Sequence, residues 1–125
     1  MRCVLAVAGV LVLSGSTWAD EKVPSYGKDI KPIFATNCAR CHNPENKKGG
    51  FDMSSVASIL EGGKRGKTML VPGTPDKSKV LRTMEGHGKM MPPKKAKTRP
   101  TNKEIALVRA WIAAGAKDDA PAKKE

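Results

Sequence analysis

The stretch Cys38-Ala39-Arg40-Cys41-His42 decides how this chain is organised. Two thiols stand three residues apart and an imidazole follows at once, a pattern typical of covalent haem attachment. Positions i and i+3 share one face of a helical turn, so both sulfurs can reach the two vinyl groups of a single porphyrin. His42 then projects over the same ring and supplies a nitrogen ligand to the iron. We therefore predict one covalently bound haem c, held by Cys38, Cys41 and His42.

Three other interpretations of the cysteine pair stay open: a structural disulfide, a redox-active dithiol, or half of a zinc site. The dithiol motif of oxidoreductases usually lies beside a βαβ pattern, and no such pattern is found in the sequence. Haem attachment is favoured because it uses all three chemically unusual residues at their set spacings.

Residues 1–19 have the pattern of an export signal. Arg2 is the charged start, residues 4–13 form an apolar or small-residue run, and Thr17-Trp18-Ala19 offers a small residue at each end of a cleavage tripeptide. The run is too short to span a bilayer. Cys3 precedes it, so we expect this cysteine to leave with the cleaved leader. The mature protein is predicted to be periplasmic or secreted.

The composition indicates a small and strongly basic protein. The chain has 125 residues, with 23 Lys and Arg against 12 Asp and Glu, and a formal net charge of +11. Loss of Arg2 with the leader lowers this charge to +10. Such a charge favours acidic partners or an anionic surface. Nucleic acid fits poorly, because an exported protein rarely meets it and no aromatic residues are interleaved with the cations.

The pattern of apolar residues predicts an all-α fold with about four short helices and neither strand nor internal repeat. The first helix is expected within residues 26–37, where Ile30, Ile33 and Phe34 gather on one face. Pro32 either opens the best-formed part of this helix or kinks what precedes it. The helix leads directly into the haem motif.

Two further helices are expected at about residues 54–61 and 77–84. Asp52 or Ser54 is the predicted N-cap of the second helix, and Gly62 ends it. In the polar loop between the haem motif and this helix, a backbone carbonyl is expected to hold the other ring nitrogen of His42.

The last helix has the clearest sequence signals. Thr101 and Glu104 form a capping box at its start, and Gly115 supplies its end. Its apolar stripe comprises Ile105, Val108, Trp111 and Ile112.

A second candidate ligand for the iron lies in a Pro-rich loop downstream. Met90-Met91-Pro92-Pro93 places a thioether directly before two prolines, which fix their own φ and push the preceding residue toward extended geometry. A loop stiffened in this way can hold Met91 against the iron as the sixth ligand. Met90 is an alternative, and so is His87, which stands between two glycines.

Two groups of basic residues flank this methionine loop. Group A is Lys89, Lys94, Lys95, Lys97, Arg99 and Lys103; group B is Lys64, Arg65, Lys67, Lys77, Lys79 and Arg82. Two interpretations stay open. Either the groups surround an exposed haem edge and steer an acidic redox partner to it, or they serve solubility alone.

Taken together, these residues resemble a small class I c-type cytochrome, and most closely the planctomycete-type cytochrome c domain. The resemblance implies an all-helical domain whose first and last helices cross, here through Ile30, Phe34 and Trp111. It also implies His–Met ligation of the iron, by His42 and Met91. Besides the haem motif, the matching segments are Asp29-Ile30-Lys31-Pro32-Ile33-Phe34, Gly49-Gly50-Phe51-Asp52, Val71-Pro72-Gly73, Met91-Pro92-Pro93 and Trp111-Ile112-Ala113-Ala114-Gly115.

The predicted function is that of an exported, monohaem one-electron carrier and not of an enzyme. The expected organisation is a cleaved leader at residues 1–19, a cytochrome c domain at 20–117 and a disordered tail at 118–125. The expected partners are redox proteins with an acidic docking face, and the protein is expected to be a monomer without a transmembrane segment. The alternative function is a gas sensor or enzyme with an open sixth position, which requires that Met91 does not bind the iron.

Overall fold

The structure is a computed structural model, and it describes residues 22–64 and 66–120. The predicted leader, Arg65 and residues 121–125 lie outside this part of the chain, so the leader and the end of the tail stay predictions. No helix in the described part is long and apolar enough to cross a membrane.

Four short α-helices form the framework of the protein, as the sequence predicts. They are α1 (Lys31–Asn37), α2 (Val56–Glu61), α3 (Lys79–Met84) and α4 (Asn102–Ala113). A π-helical turn, Tyr26–Ile30, precedes α1, and 3-10 turns lie at Lys48–Gly50, Lys67–Met69 and Pro75–Lys77. Across residues 22–64 and 66–120 there are isolated bridges but no strands. The prediction of a small all-α fold with about four short helices is therefore confirmed.

Pro32 lies at the start of α1, directly after the π-helical turn Tyr26–Ile30. It lies in the first turn of α1, where its missing N–H removes no helical hydrogen bond. The wider turn Tyr26–Ile30 begins after Ser25, whose hydroxyl accepts a hydrogen bond from the backbone N–H of Lys28. The two segments together occupy the region that the sequence assigns to one helix.

The N-cap of α2 differs from the sequence prediction. The hydroxyl of Ser55 accepts a hydrogen bond from the backbone N–H of Ser58 at 3.1 Å, so Ser55 is the cap. Asp52 instead accepts from the backbone N–H of Ser54 at 2.8 Å, which shapes the turn before the helix. Gly62 ends α2 with a φ of +76°, as predicted.

The third helix starts two residues later than predicted, at Lys79. The residues before it form the separate turn Pro75–Lys77, and Ser78 between the two is fully buried. The hydroxyl of Ser78 accepts from the backbone N–H of Val71 at 2.9 Å and donates to the carbonyl of Thr74. These bonds satisfy the hydroxyl of the buried Ser78.

The last helix forms as predicted. Thr101 and Glu104 make both hydrogen bonds of the capping box, at 3.2 Å and 2.7 Å. Gly115 follows the helix with a φ of +110°, a conformation that favours glycine. Of the predicted apolar stripe, three residues are fully buried and one is partly buried: Val108, Trp111 and Ile112, and then Ile105.

The N-terminal segment packs against α4 in the core. The ring of Trp111 stacks on Tyr26 with 5.4 Å between centroids, and meets Phe34 edge-on at 6.1 Å. Ile30 is also fully buried in this core. The predicted contact between the two ends of the domain is present, with Tyr26 as a further member.

The first residues of the predicted tail lie against the N-terminal segment. The indole N–H of Trp111 donates to the carbonyl of Lys117 at 2.9 Å, and the backbone N–H of Gly27 donates to the carboxylate of Asp119 at 2.9 Å. A Cβ atom at Gly27 would lie 3.2 Å from the Cα of Ala120, so the two backbones approach closely. Residues 118–120 therefore differ from the predicted disordered tail.

Candidate haem-binding site

Helix α1 carries the chain to Cys38, and a tight turn follows. The backbone N–H of Cys38 donates to the carbonyl of Phe34 at 2.9 Å, which continues the helical pattern by one step. The carbonyl of Cys38 then accepts from the N–H groups of Cys41, at 3.2 Å, and His42, at 3.0 Å. The structure thus brings the three predicted haem-binding residues onto one turn of the chain.

Both thiols of this turn are free and half-buried. Burial raises the pKa of the Cys38 thiol to about 12, and its side chain packs against the hydrophobic core. In the described structure no disulfide joins Cys38 and Cys41. Among the described residues, no group of three or more His, Cys, Asp or Glu side chains is arranged to hold a metal ion.

The imidazole of His42 contacts an aromatic ring. It meets the ring of Phe51 edge-on, with 5.5 Å between centroids and 61° between planes. Its Nδ1 atom is buried and has no hydrogen-bond partner among the described residues. The prediction that a loop carbonyl holds this second nitrogen is therefore wrong. Four carbonyls of the loop accept hydrogen bonds from backbone amides instead: Asn46, Lys47, Lys48 and Gly49.

The chemistry of this donor set fits a covalently attached haem. The imidazole of His42 makes no hydrogen bond through Nδ1 to any described residue. Two unpaired thiols lie one turn away on the same segment. The turn from Cys38 to His42 therefore offers two sulfurs for thioether bonds. It also offers an imidazole that no hydrogen bond at Nδ1 orients in the described structure.

The loop that contains Met91 is held on both sides of the methionine. The backbone N–H of Met91 donates to the carbonyl of Thr83 in α3, at 3.0 Å. The guanidinium of Arg99 donates to the carbonyls of Pro92 and Pro93 at 2.6 Å and 3.1 Å. Met91 itself is half-buried, Pro92 is buried, and the peptide bond between them is cis.

The same loop is bonded to the helix that carries the haem motif. The hydroxyl of Thr98 donates to the carbonyl of Thr36 at 3.1 Å. Thr36 lies in α1, two residues before Cys38. This bond joins the end of the methionine loop to the segment that presents the thiols, although 62 residues separate the two partners.

Met90 and His87, the two alternative candidates for the sixth ligand, contact other groups. The Cε of Met90 lies 3.1 Å from the position that a Cβ at Gly86 would occupy, so the end of the Met90 side chain packs over Gly86. The side chain of His87 is 64% exposed, and its Nε2 lies 3.8 Å from the carboxylate of Glu85. These positions favour Met91 as the ligand, while the choice itself stays a prediction.

Arg99 is a functional candidate whose contact the sequence analysis missed. The sequence places it only in basic group A, as one cation among six. Its acceptors are backbone carbonyls six and seven residues away, and no side-chain pattern marks such a contact. A Pro-Pro pair followed by an arginine is the only local feature that could have pointed to it.

Acidic side chains are largely engaged inside the described structure, whereas most cations face solvent. Arg109 is paired with Glu85 at 2.7 Å and with Asp76 at 3.0 Å. Five other carboxylates accept hydrogen bonds from backbone amides: Asp29, Asp52, Glu104, Asp118 and Asp119. All six residues of group A are exposed. The surface around the methionine loop is therefore basic.

The small all-helical fold agrees with the predicted cytochrome c domain. Among known families, the model described as planctomycete cytochrome C matches residues 38–95, just under half of the chain. The matched segment runs from the haem motif through the methionine loop, and it confirms the resemblance to the planctomycete-type cytochrome c domain. No curated protein and no solved structure matches the chain.

Proposed function

We propose that this chain is an exported monohaem c-type cytochrome that passes single electrons between partner proteins. The observation that carries the proposal is the turn from Cys38 to His42. It presents two unpaired thiols and an imidazole on one tight turn of the chain. The family match over residues 38–95 supports the same class of cofactor.

Cys38 and Cys41 would hold the haem through thioether bonds, and His42 and Met91 would bind its iron. When bound, the haem supplies the one-electron couple of the iron. An imidazole and a thioether are both neutral donors, and this ligand pair favours the reduced state and raises the potential.

The described residues account for how the chain would keep both ligands in place. The carbonyl of Cys38 holds the turn that presents His42. Thr83 and Arg99 bond the loop immediately before and after Met91. A carrier needs ligands that move little between its two oxidation states, because each displacement adds to the barrier for electron transfer. Both ligand segments are tied by hydrogen bonds to backbone carbonyls, and these bonds do not depend on the charge of the iron.

Group A is proposed as the docking surface for an acidic redox partner. Its six exposed cations bracket the loop of Met91, so a partner bound there would approach the ligand loop. Complementary charge raises the rate of encounter more than it raises affinity. We also propose that the protein is exported and that its mature chain begins at residue 20. This part of the proposal depends only on the leader pattern of residues 1–19.

Optical spectra of the purified protein test this function. The expected reduced protein has the sharp bands of a six-coordinate c-type haem, and carbon monoxide leaves them unchanged over minutes. Rapid binding of carbon monoxide by the reduced wild type would favour the alternative, a gas sensor or enzyme with an open sixth position.

A further inference from the structure

The orientation of the His42 imidazole needs a structural cause that its hydrogen bonds do not provide. A histidine that binds a metal usually donates its other ring N–H to an acceptor, which fixes the plane of the ring. In the described structure Nδ1 of His42 is buried and has no such acceptor. Some other contact must therefore limit rotation of the ring about its Cβ–Cγ bond.

Phe51 makes that contact. Its ring meets the imidazole edge-on at 5.5 Å, a geometry in which aromatic rings attract each other. Phe51 is only 6% exposed, so core residues confine its side chain. The backbone N–H of Met53 also donates to the carbonyl of His42 at 2.8 Å, which fastens the two chain segments side by side.

Glycine backbone contacts also confine the segment that carries Phe51. The carbonyl of Gly49 accepts from the N–H of Lys64 at 3.0 Å. A methyl group at Gly63 would lie 2.9 Å from that carbonyl oxygen and 3.1 Å from the Cβ of Phe51. A side chain at Gly63 would collide with both of these atoms. The segment after α2 therefore lies directly against the backbone that carries the Phe51 ring.

We infer that Phe51 is a positioning residue that sets the plane of the His42 imidazole above the haem, in place of a hydrogen bond to Nδ1. This inference rests on the proposed function, since the plane matters only if His42 binds iron. In the described structure Nδ1 has no acceptor, so the packing of the ring is what limits its orientation.

The test compares the haem-methyl proton resonances of the oxidised protein, whose order and spread report the plane of the axial imidazole. Phe51→Leu removes the aromatic edge and is expected to change both. Gly63→Ala keeps the phenyl ring but displaces it, and is expected to alter the same resonances to a smaller extent. Tyr26→Leu is the matched control, because Tyr26 is an equally buried aromatic residue that stacks on Trp111.

The expected result is a changed methyl pattern in both site variants, with the haem still attached and the iron still six-coordinate. Tyr26→Leu should lower the melting temperature and leave the pattern as in the wild type. If Phe51→Leu does not yield folded protein, Gly63→Ala decides alone. Patterns identical to the wild type, or altered equally in Tyr26→Leu, would overturn the inference. A wild-type mass without haem is a separate result that would overturn the proposed function as well.

Discussion

The Nη1 atom of Arg99 lies 2.6 Å from the carbonyl oxygen of Pro92, the residue that follows Met91. The same nitrogen lies 3.1 Å from the carbonyl of Pro93. One guanidinium therefore fixes two consecutive peptide groups beside the proposed ligand. Arg99 has a structural role that an exposed cation in a docking surface does not need.

Arg99→Gln should loosen the Met91 loop. Hydrogen bonds to a charged donor contribute about 1.5–3 kcal/mol when buried, and part of this applies at a half-buried site. We expect the fraction of oxidised protein with dissociated methionine to rise by about tenfold, which corresponds to ~1.4 kcal/mol. The weak far-red absorbance of a ferric iron–thioether bond measures this fraction. Lys97→Gln removes the same charge from an exposed neighbour and should leave the band unchanged. Equal losses in both variants would show that charge, and not the hydrogen bonds, holds the loop.

Met91→Ala should remove the sixth ligand. We expect a lower potential, loss of the far-red band and binding of carbon monoxide by the reduced protein, because a neutral sulfur donor favours ferrous iron. Met90→Ala is the control and should change these properties far less. The reverse order of effects would place Met90 on the iron. A spectrum that changes only in His87→Ala would indicate bis-histidine ligation.

Electron transfer to an acidic partner should slow steeply as salt rises. The screening length falls from ~10 Å at 0.1 M to ~3 Å at 1 M ionic strength, so steering by group A is lost. Changing Lys94, Lys95 and Lys97 together to Glu should slow the reaction in low salt to a similar degree, with the haem spectrum intact. The matched control changes Lys22, Lys28 and Lys31 to Glu, an equal change of charge on exposed residues of the N-terminal segment. Stopped-flow measurements give the rate of electron transfer. An equal decrease in both triple variants would mean that the net charge of the protein, and not a defined docking surface, controls this rate.

The contact between the tail and the N-terminal segment should weaken in acid. The backbone N–H of Gly27 and the hydroxyl of Ser25 lower the pKa of Asp119 from its ordinary value of 3.8. A carboxyl whose pKa is lower in the folded state stabilises the fold above its unfolded pKa, and this contribution is lost as pH falls through the folded value. Asp119→Asn should therefore lower the melting temperature at pH 7 and make no difference near pH 2. Asp118→Asn is the control and should cost less at pH 7, because its carboxylate accepts from the nearby N–H of Ala120 and not from the N-terminal segment as described. A difference between wild type and Asp119→Asn that persists at pH 2 would show that the carboxylate charge is not what holds the tail.

Features that depend on neighbouring residues could be predicted from the sequence. The turn that joins Cys38 to His42 and the capping box of Thr101 and Glu104 are local, so their spacing alone specifies them. The start of α2 is local as well but ambiguous, because three residues within four positions can act as caps. The burial of Val56 and Ile59 selects Ser55, and burial is a property of the whole fold.

Contacts between distant segments could not be predicted in this way. Asp119 and Gly27 are 92 residues apart, and a stretch rich in Lys, Asp and Ala has the composition of a disordered tail. The bonds of Arg99 end on backbone carbonyls, which every residue carries. For His42, the loop offers several carbonyls, and only the fold shows that four of them accept from backbone amides and that none holds Nδ1.

The most direct measurement of the central claim is the mass of the intact protein under denaturing conditions, from cells that mature c-type cytochromes. The account predicts the polypeptide without residues 1–19 plus one haem, and Cys38→Ala or Cys41→Ala should leave at most one thioether bond. A mass equal to the bare polypeptide with an oxidised Cys38–Cys41 pair would contradict the account.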